Sequence, residues 1–239
     1  MTRRVVVLPD PAAVAAATAD RVVATVRNAI RRRGVCRLVL SGGATPLLAY
    51  PLLLAPPRVD AVDWSSVEFF WADERAVPPT YLDSNYNAAL GVFLSDLPGV
   101  RLSAVHRMEA ERGDLDAAAA DYQAEIARAF GLRGADAAIP AFDLAWLGMG
   151  RDGHTASLFP GSAALGERRR WAVANWTGGA AGWRMTLTYP ILNAAREVLF
   201  QVCGPDKRDA LAATLRGETP AARVRARRTL WLVDREAAG

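Results

Sequence analysis

The chain has 239 residues, 51% of them hydrophobic, and a formal charge of +4 with a pI of about 9.5; that is enough apolar material to bury a substantial core. The basic residues are scattered, without a dense stripe interleaved with aromatic residues, which favours a small anionic ligand over nucleic acid. The first apolar run breaks at Pro9 and no later run reaches membrane length, so we expect a cytoplasmic protein that binds no membrane.

Three predicted elements open the chain: a strand at 5–8, a helix at 11–33 and a strand at 36–40. Asp10 is the expected N-cap of the helix, Pro11 its first residue and Gly34 its stop. Cys36 in the second strand, like Cys203 later, is interpreted as a buried small hydrophobic residue rather than a disulfide partner or metal ligand.

A glycine-containing turn, Ser41-Gly42-Gly43-Ala44-Thr45, follows the second strand and leads into a helix expected to begin at Pro46 and to be interrupted at Pro51. Glycines, hydroxyls and a helix N-terminus together expose several backbone N–H groups, which can cradle a phosphate. Ordinary strand-to-helix turns share this composition, so both interpretations stay open at this point.

Three charged residues, Asp73, Glu74 and Arg75, follow the next predicted strand at 67–71. Charge runs are more often solvated, but this run stands at the carboxyl end of a strand, where ligands of open α/β sheets bind. Ser84-Asn85 is predicted to cap a helix at about 87–94.

The segment after that helix says little about function. A short strand at 105–108 contains His106, which we interpret as structural because nothing chemical surrounds it. An alanine-rich surface helix is predicted at 114–130.

The most informative stretch is 142–161, in which an apolar run, Phe142–Leu147, leads into Gly148-Met-Gly-Arg-Asp-Gly-His154. The run predicts a buried strand, and the glycines allow a sharp turn and a close approach to a ligand. His154 can exchange a proton near neutral pH, which makes it a candidate general base. The alternative is a histidine that only caps a turn.

The same glycines match the G-x-G-x-x-G fingerprint of dinucleotide-binding proteins. That site needs a full helix after the glycines and an acidic residue about 20 residues further on. Here Pro160 limits any helix to little more than a turn, and the charge run 167–170 follows, so we do not expect a dinucleotide cofactor.

The remaining predicted elements are strands at 171–176, 185–189, 197–203 and 230–233 and short helices beginning at Pro190 and near Lys207. Lys207 is the only lysine among 29 basic residues. Lysine is a compact point charge where arginine is a broad fork. The position of the only lysine in a turn at the end of a strand therefore favours a functional role for Lys207, although chance remains an alternative.

Five stretches resemble the 6-phosphogluconolactonase family. They are Ser41–Pro46, Asp73–Arg75 with Ser84-Asn85, Gly148–Gly161, Arg184–Thr188 with Asn193, and Gly204–Lys207. The long central stretch is highly specific, and the others occur in the order and spacing of the family.

The resemblance implies an α/β fold of the sugar-phosphate isomerase and lactonase type: a mainly parallel, Rossmann-like open sheet flanked by helices, with room for a small second lobe. We expect residues 1–239 to form one domain, active as a monomer or weak dimer. The implied activity is hydrolysis of 6-phospho-D-glucono-1,5-lactone to 6-phosphogluconate in the oxidative pentose phosphate pathway, with neither metal nor cofactor.

Lactone hydrolysis requires an activated water, stabilisation of an oxyanion and a proton for the leaving ring oxygen. We expect His154 to move the proton and Asp152 to orient His154. The expected substrate- and phosphate-binding residues are Ser41, Gly42, Gly43, Thr45, Asp73, Arg75, Arg184 and Lys207. Ser157 lacks the G-x-S-x-G context of a serine nucleophile, so direct attack by water is favoured.

The nearest alternatives are a glucosamine-6-phosphate deaminase and a sugar-phosphate-binding protein without catalysis. The deaminases follow Gly-His with a sequence rich in Asn-Glu-Pro, whereas this chain has Thr-Ala-Ser-Leu-Phe-Pro. The chain also departs from the lactonase pattern at Ala44, at Arg151 and in the segment 222–229, which has neither proline nor glycine. We expect these differences to tune binding rather than abolish it.

Overall fold

The computed structural model describes residues 2–133, 138–179 and 182–239. The strands in these ranges are β1 (Thr2–Leu8), β2 (Cys36–Leu40), β3 (Val67–Trp71), β4 (Asp73–Arg75), β5 (Val105–His106), β6 (Leu144–Leu147), β7 (Ala172–Trp176), β8 (Trp183–Leu187), β9 (Val198–Val202) and β10 (Arg228–Asp234). The α-helices are α1 (Pro11–Arg33), α2 (Ala44–Leu47), α3 (Tyr50–Leu54), α4 (Asn85–Val92), α5 (Leu115–Ala129), α6 (Tyr189–Ala194), α7 (Arg208–Arg216) and α8 (Arg235–Ala238).

Seven strands form one parallel sheet in the order β1-β10-β9-β6-β2-β3-β5. Its central strands β6 and β9 are buried along their whole length, as expected for parallel strands covered by helices on both faces. The chain moves outward from β2 through β3 to β5, then returns to β6 on the other side of β2. Because the strand order reverses between β2 and β6, a crevice opens at the carboxyl ends of these two strands.

A smaller antiparallel sheet has the order β4-β8-β7. It begins only one residue after β3 ends, because Ala72 separates Trp71 from Asp73. The smaller sheet therefore starts at the carboxyl edge of the parallel sheet. The predicted α/β fold with a mainly parallel sheet and a smaller second unit is confirmed.

The caps of α1 confirm the sequence interpretation of this helix. The carboxylate of Asp10 accepts a hydrogen bond from the backbone N–H of Ala13 at 2.8 Å, and Pro11 occupies the first turn. Gly34 ends the helix in the left-handed conformation, with φ 75°. Only glycine adopts this conformation without a steric penalty.

The aromatic core lies beneath the carboxyl edge of the sheet. Tyr50 stacks on Phe93 with ring centroids 5.3 Å apart and meets Trp146 edge-on at 4.7 Å. The Tyr50 hydroxyl donates to the carbonyl of Ser41 at 2.6 Å. Short helix α3 thus anchors the turn after β2 to the hydrophobic core.

Several predicted boundaries were wrong near prolines and caps. The helix expected to begin at Pro46 begins at Ala44, and Pro51 lies in the first turn of α3 rather than interrupting a helix. A proline is tolerated in a first turn because the N–H groups there have no intrahelical acceptor. The helix predicted at 87–94 is Asn85–Val92, with Ser84 as its N-cap.

Strand boundaries in the second half of the chain also differ from the predicted ones. The strand predicted at 185–189 is Trp183–Leu187, because Tyr189 and Pro190 begin α6. The charge run at 73–75, predicted to follow the carboxyl end of a strand, is itself the paired strand β4, in which Asp73 and Glu74 are buried. Within the described residues, no helix combines the length and apolar character needed to cross a bilayer.

Candidate active site

A cavity of about 390 Å³ lies at the carboxyl ends of β2, β6 and β9 and against the start of the smaller sheet. Nine of the ten predicted site residues line it: Ser41, Gly42, Gly43, Thr45, Asp73, Arg75, His154, Arg184 and Lys207. The tenth, Asp152, contacts Nδ1 of the His154 imidazole. The fold therefore brings all predicted residues, spread over 167 positions of sequence from 41 to 207, to one place.

The loop after β6 holds the imidazole of His154 in a fixed orientation. Its Nδ1 lies 2.5 Å from Oδ1 of Asp152, and its ring stacks on Phe159 with centroids 3.9 Å apart. Because Asp152 engages Nδ1, Nε2 is the ring nitrogen available for proton exchange with a ligand. An imidazole held in this way can act as an oriented general base.

The carboxylate of Asp152 is suited to orient the imidazole of His154 and to stabilise its charged form. Burial acts to raise the pKa of Asp152, but the imidazole of His154 and hydrogen bonds from His154 outweigh it, so the net pKa is lowered. Asp152 therefore stays ionised at neutral pH. An ionised partner at Nδ1 stabilises the imidazolium that forms when Nε2 takes up a proton.

Gly150 makes room for the imidazole. A Cβ at this position would lie 2.0 Å from Nδ1 and 2.1 Å from Cε1 of His154. The backbone N–H of Gly150 also donates to the carbonyl of His154 at 2.9 Å, which closes the loop on itself. The glycines of this loop were predicted to allow close approach to a ligand, and at Gly150 the missing side chain leaves room for the imidazole of His154.

The smaller sheet contributes two arginines to the cavity. Arg75 on β4 and Arg184 on β8 are direct partners in the antiparallel register. Burial lowers the pKa of Arg184, and the nearby carboxylate of Asp73 acts in the opposite direction. Arg75 and Arg184 both add positive charge to this wall of the cavity, which suits a phosphate or carboxylate.

Asp73 is held firmly in the wall of the cavity. Its Oδ2 accepts a hydrogen bond from the Ser157 hydroxyl at 2.5 Å, and Asn85 Nδ2 donates to its carbonyl at 2.9 Å. A Cβ on Gly42 would lie 1.8 Å from Oδ1 of Asn85, so the turn after β2 packs directly on this group. Asn85 was predicted as part of a helix cap and lies in one of the stretches that resemble the family, but it was not among the expected binding residues.

Lys207 lies in the 3₁₀ turn Pro205–Lys207 after β9. Its Nζ is 3.3 Å from Oδ2 of Asp206, and Arg151 approaches the same carboxylate at 3.9 Å. Cys203, at the rim of the cavity, is a buried thiol whose pKa is raised to about 12 by burial and by the carboxylates of Asp234 and Asp10. Such a thiol is not a nucleophile at neutral pH.

Ser157 and His106, which were also considered in the sequence, do not lie among the groups expected to react. Ser157 is fully buried and its hydroxyl is committed to Asp73, so it is not placed as a nucleophile. His106, on β5, contacts Glu125 through Nδ1 at 2.6 Å and stacks on Phe70, as expected of a structural histidine. Among the described residues, no group of three or more His, Cys, Asp or Glu side chains is arranged to hold a metal ion.

Residues 9–231 match the family described as Glucosamine-6-phosphate isomerases/6-phosphogluconolactonase. The chain belongs to this family. The 6-phosphogluconolactonase of Mycobacterium tuberculosis is 38% identical over 250 residues, covering 100% of this chain and 98% of that protein. That of Streptomyces coelicolor is 37% identical over 247 residues, covering 99% and 94%.

Solved structures of family members show the same fold. The 6-phosphogluconolactonase of Thermotoga maritima superposes with a TM-score of 0.84 at 28% identity, covering 98% of this chain and 100% of that chain. The enzyme from Trypanosoma cruzi gives 0.85 at 28% identity, covering 99% and 96%. A monomeric glucosamine-6-phosphate deaminase, at 19% identity and a TM-score of 0.78 over 98% of both chains, shares the fold alone.

Proposed function

We propose that this protein is a 6-phosphogluconolactonase, which hydrolyses 6-phospho-D-glucono-1,5-lactone to 6-phosphogluconate in the oxidative pentose phosphate pathway. One observation carries the proposal: the cavity that His154 and Asp152 serve is also lined by Arg75, Arg184 and Lys207. A proton-transfer pair beside three cationic side chains suits a substrate in which a phosphate lies some distance from a neutral ester group.

His154 acts as the general base. Nε2 removes a proton from a water molecule as the water oxygen bonds to the lactone carbonyl carbon, which gives a tetrahedral oxyanion. The oxyanion then collapses, the bond from that carbon to the ring oxygen breaks, and the imidazolium returns its proton to the ring oxygen. The new carboxylic acid releases its proton to solvent to give 6-phosphogluconate, so one water is consumed and His154 ends as it began.

Asp152 supports both proton transfers. Its ionised carboxylate holds the Nδ1 proton of His154 and stabilises the transient imidazolium. The acceleration required is modest because the lactone is an activated ester, so a single oriented base with electrostatic support is sufficient.

The cations hold the substrate in place. Arg75, Arg184 and Lys207, with the Ser41–Thr45 turn, bind the phosphate and support the developing oxyanion. Anchoring the phosphate holds the carbonyl near Nε2 and converts an encounter in solution into a positioned reaction. Asp73 balances the positive charge of Arg184 and is fixed by Ser157 and Asn85.

We further propose that the enzyme works in the cytoplasm without a metal, as one domain that is a monomer or weak dimer. Size-exclusion chromatography with light scattering tests the last statement. A mass of two chains that persists at nanomolar concentration would contradict it.

The test of function is hydrolysis of freshly made 6-phosphogluconolactone, followed through NADP reduction by added 6-phosphogluconate dehydrogenase. We expect acceleration above spontaneous opening. In parallel, release of ammonia from glucosamine-6-phosphate tests the deaminase alternative. Ammonia release without lactone hydrolysis would favour the deaminase, and binding of 6-phosphogluconate without either reaction would favour a non-catalytic binder.

A further inference from the structure

Ser157 connects the loop that carries His154 to all three strands of the smaller sheet by hydrogen bonds. The Ser157 hydroxyl donates to Oδ2 of Asp73 on β4 at 2.5 Å. Its backbone N–H donates to the hydroxyl of Thr186 on β8 at 3.1 Å, and its carbonyl accepts from Nδ2 of Asn175 on β7 at 2.8 Å. One fully buried residue therefore has hydrogen bonds to three adjacent strands.

These bonds join the two halves of the candidate active site. The general base lies on the loop after β6, which belongs to the parallel sheet, whereas Arg75 and Arg184 lie on the smaller sheet. Ser157 follows His154 by three residues and contacts the strands that carry both arginines. Ser157 is thus a direct hydrogen-bonded link between the His154 loop and the strands that carry the arginine pair.

The backbone between His154 and Ser157 is held in an unusual conformation. Ala156, which lines the cavity, has a positive φ of 48°. A residue with a Cβ adopts this conformation only where surrounding contacts enforce it. The three bonds of Ser157 on one side and the bond from Thr155 Oγ1 to the Gly148 carbonyl, 2.9 Å, on the other supply that enforcement.

We propose that Ser157 is a positioning residue for lactone hydrolysis. It fastens the His154 loop to the smaller sheet and so fixes the general base relative to the phosphate-binding arginines. It does not contact the reacting atoms and acts through Asp73 and through the backbone of its own loop. This inference rests on the proposed function, because it assigns the distance between the base and the phosphate site to one residue.

The first variant is Ser157→Ala, which removes only the hydroxyl. We expect kcat for the lactone to fall about tenfold or more, because small displacements of a catalytic group from a bound substrate are costly in rate. The Kd for 6-phosphogluconate should change less than about threefold, because the arginines and Lys207 remain. A residue that served only stability would lower Tm and leave kcat per folded molecule unchanged.

The second pair of variants gives an internal control. Thr186→Val removes the acceptor for the Ser157 N–H, whereas Thr188→Val removes an equally buried hydroxyl that bonds the carbonyl of Arg170 at 2.5 Å instead of a residue of the His154 loop. The two substitutions are the same, only two residues apart in sequence. We expect Thr186→Val to lower kcat and Thr188→Val to leave it within about twofold of wild type.

A combined variant tests whether Ser157 and Thr186 act on the same loop. If both single changes release the same attachment, Ser157→Ala with Thr186→Val should lose less than the product of the two single losses. The inference is overturned if kcat of both single variants stays within twofold of wild type while wild type is active. An inactive wild type would instead remove the proposed function, so the two failures are distinguishable.

Discussion

Arg75 and Arg184 lie directly opposite each other in the antiparallel pair of β4 and β8. Like charges at facing positions of a sheet repel, and here Arg184 is also partly desolvated. An anion bound between the two guanidinium groups would relieve this repulsion and gain charge-assisted hydrogen bonds. We therefore expect the smaller sheet to offer an anion site to the cavity.

The first prediction concerns this pair. Arg75→Gln and Arg184→Gln should each weaken binding of 6-phosphogluconate by about ten- to hundredfold, the range expected for losing a hydrogen bond to a charged group. Isothermal titration calorimetry at constant ionic strength measures the effect. Arg27→Gln, on the exposed face of α1, is the control and should retain the wild-type Kd. Unchanged affinity in both cavity variants would rule out the anion site.

The second prediction concerns Gly150. Gly150→Ala places a methyl group where the imidazole of His154 lies, so the ring must rotate away from Asp152. We expect kcat to fall at least tenfold while the affinity for 6-phosphogluconate is retained. Gly166→Ala is the matched control, since a Cβ there meets nothing within 4 Å. Full activity in Gly150→Ala would show that the orientation of His154 is not required.

The third prediction separates charge from shape at Lys207. Lys207→Arg keeps the positive charge but replaces a compact ammonium by a broad fork beside Asp206, 3.3 Å away. We expect kcat/KM to fall about tenfold, and Lys207→Met, which also removes the charge, to lose more. Steady-state kinetics with the coupled lactone assay provides both values. If Lys207→Arg matches wild type, the only lysine of the chain is retained by chance.

The fourth prediction concerns stability against pH at Glu167. Burial acts to raise the pKa of Glu167, but the backbone N–H groups of Arg168, Arg169 and Arg170 and the side chain of Arg170 lower it to about 2, from an ordinary value of 4.5. A carboxylate whose pKa is depressed in the folded state contributes stability above its unfolded pKa, and that contribution is lost as the pH falls through the folded value.

Glu167→Gln should therefore lower Tm at pH 7, and the difference from wild type should shrink between about pH 4.5 and pH 2. Thermal unfolding across this window provides the measurement. Glu236→Gln, at an exposed position of α8, should show little difference at any pH. A Tm difference for Glu167→Gln that does not vary with pH would exclude the ionised carboxylate as its source.

The cavity residues at strand ends were predictable from the sequence because parallel strands bring their carboxyl ends to one edge of the sheet. His154, Lys207 and the Ser41 turn follow β6, β9 and β2, which are neighbours in the sheet. Periodicity and glycines mark such ends locally. The assembly of these ends into one cavity then follows from the strand order.

The smaller sheet could not be predicted in the same way. The pairing of Arg75 with Arg184 joins positions more than 100 residues apart, and the three residues of β4 carry no periodicity. The burial of Asp73 and Glu74 likewise depends on partners supplied by distant segments, such as Ser157 and Asn85. Local sequence favoured a solvated charge run because those partners are visible only in the folded chain.

We propose that His154 is the general base in a cavity that binds a sugar phosphate. The most direct test compares wild type with His154→Ala in the coupled lactone assay, alongside calorimetric binding of 6-phosphogluconate. We predict rapid hydrolysis by wild type, hydrolysis no faster than the spontaneous background by the variant, and a Kd for 6-phosphogluconate within about threefold of wild type. A variant that keeps wild-type kcat would contradict the assignment of the base, and a wild type without acceleration would contradict the lactonase itself.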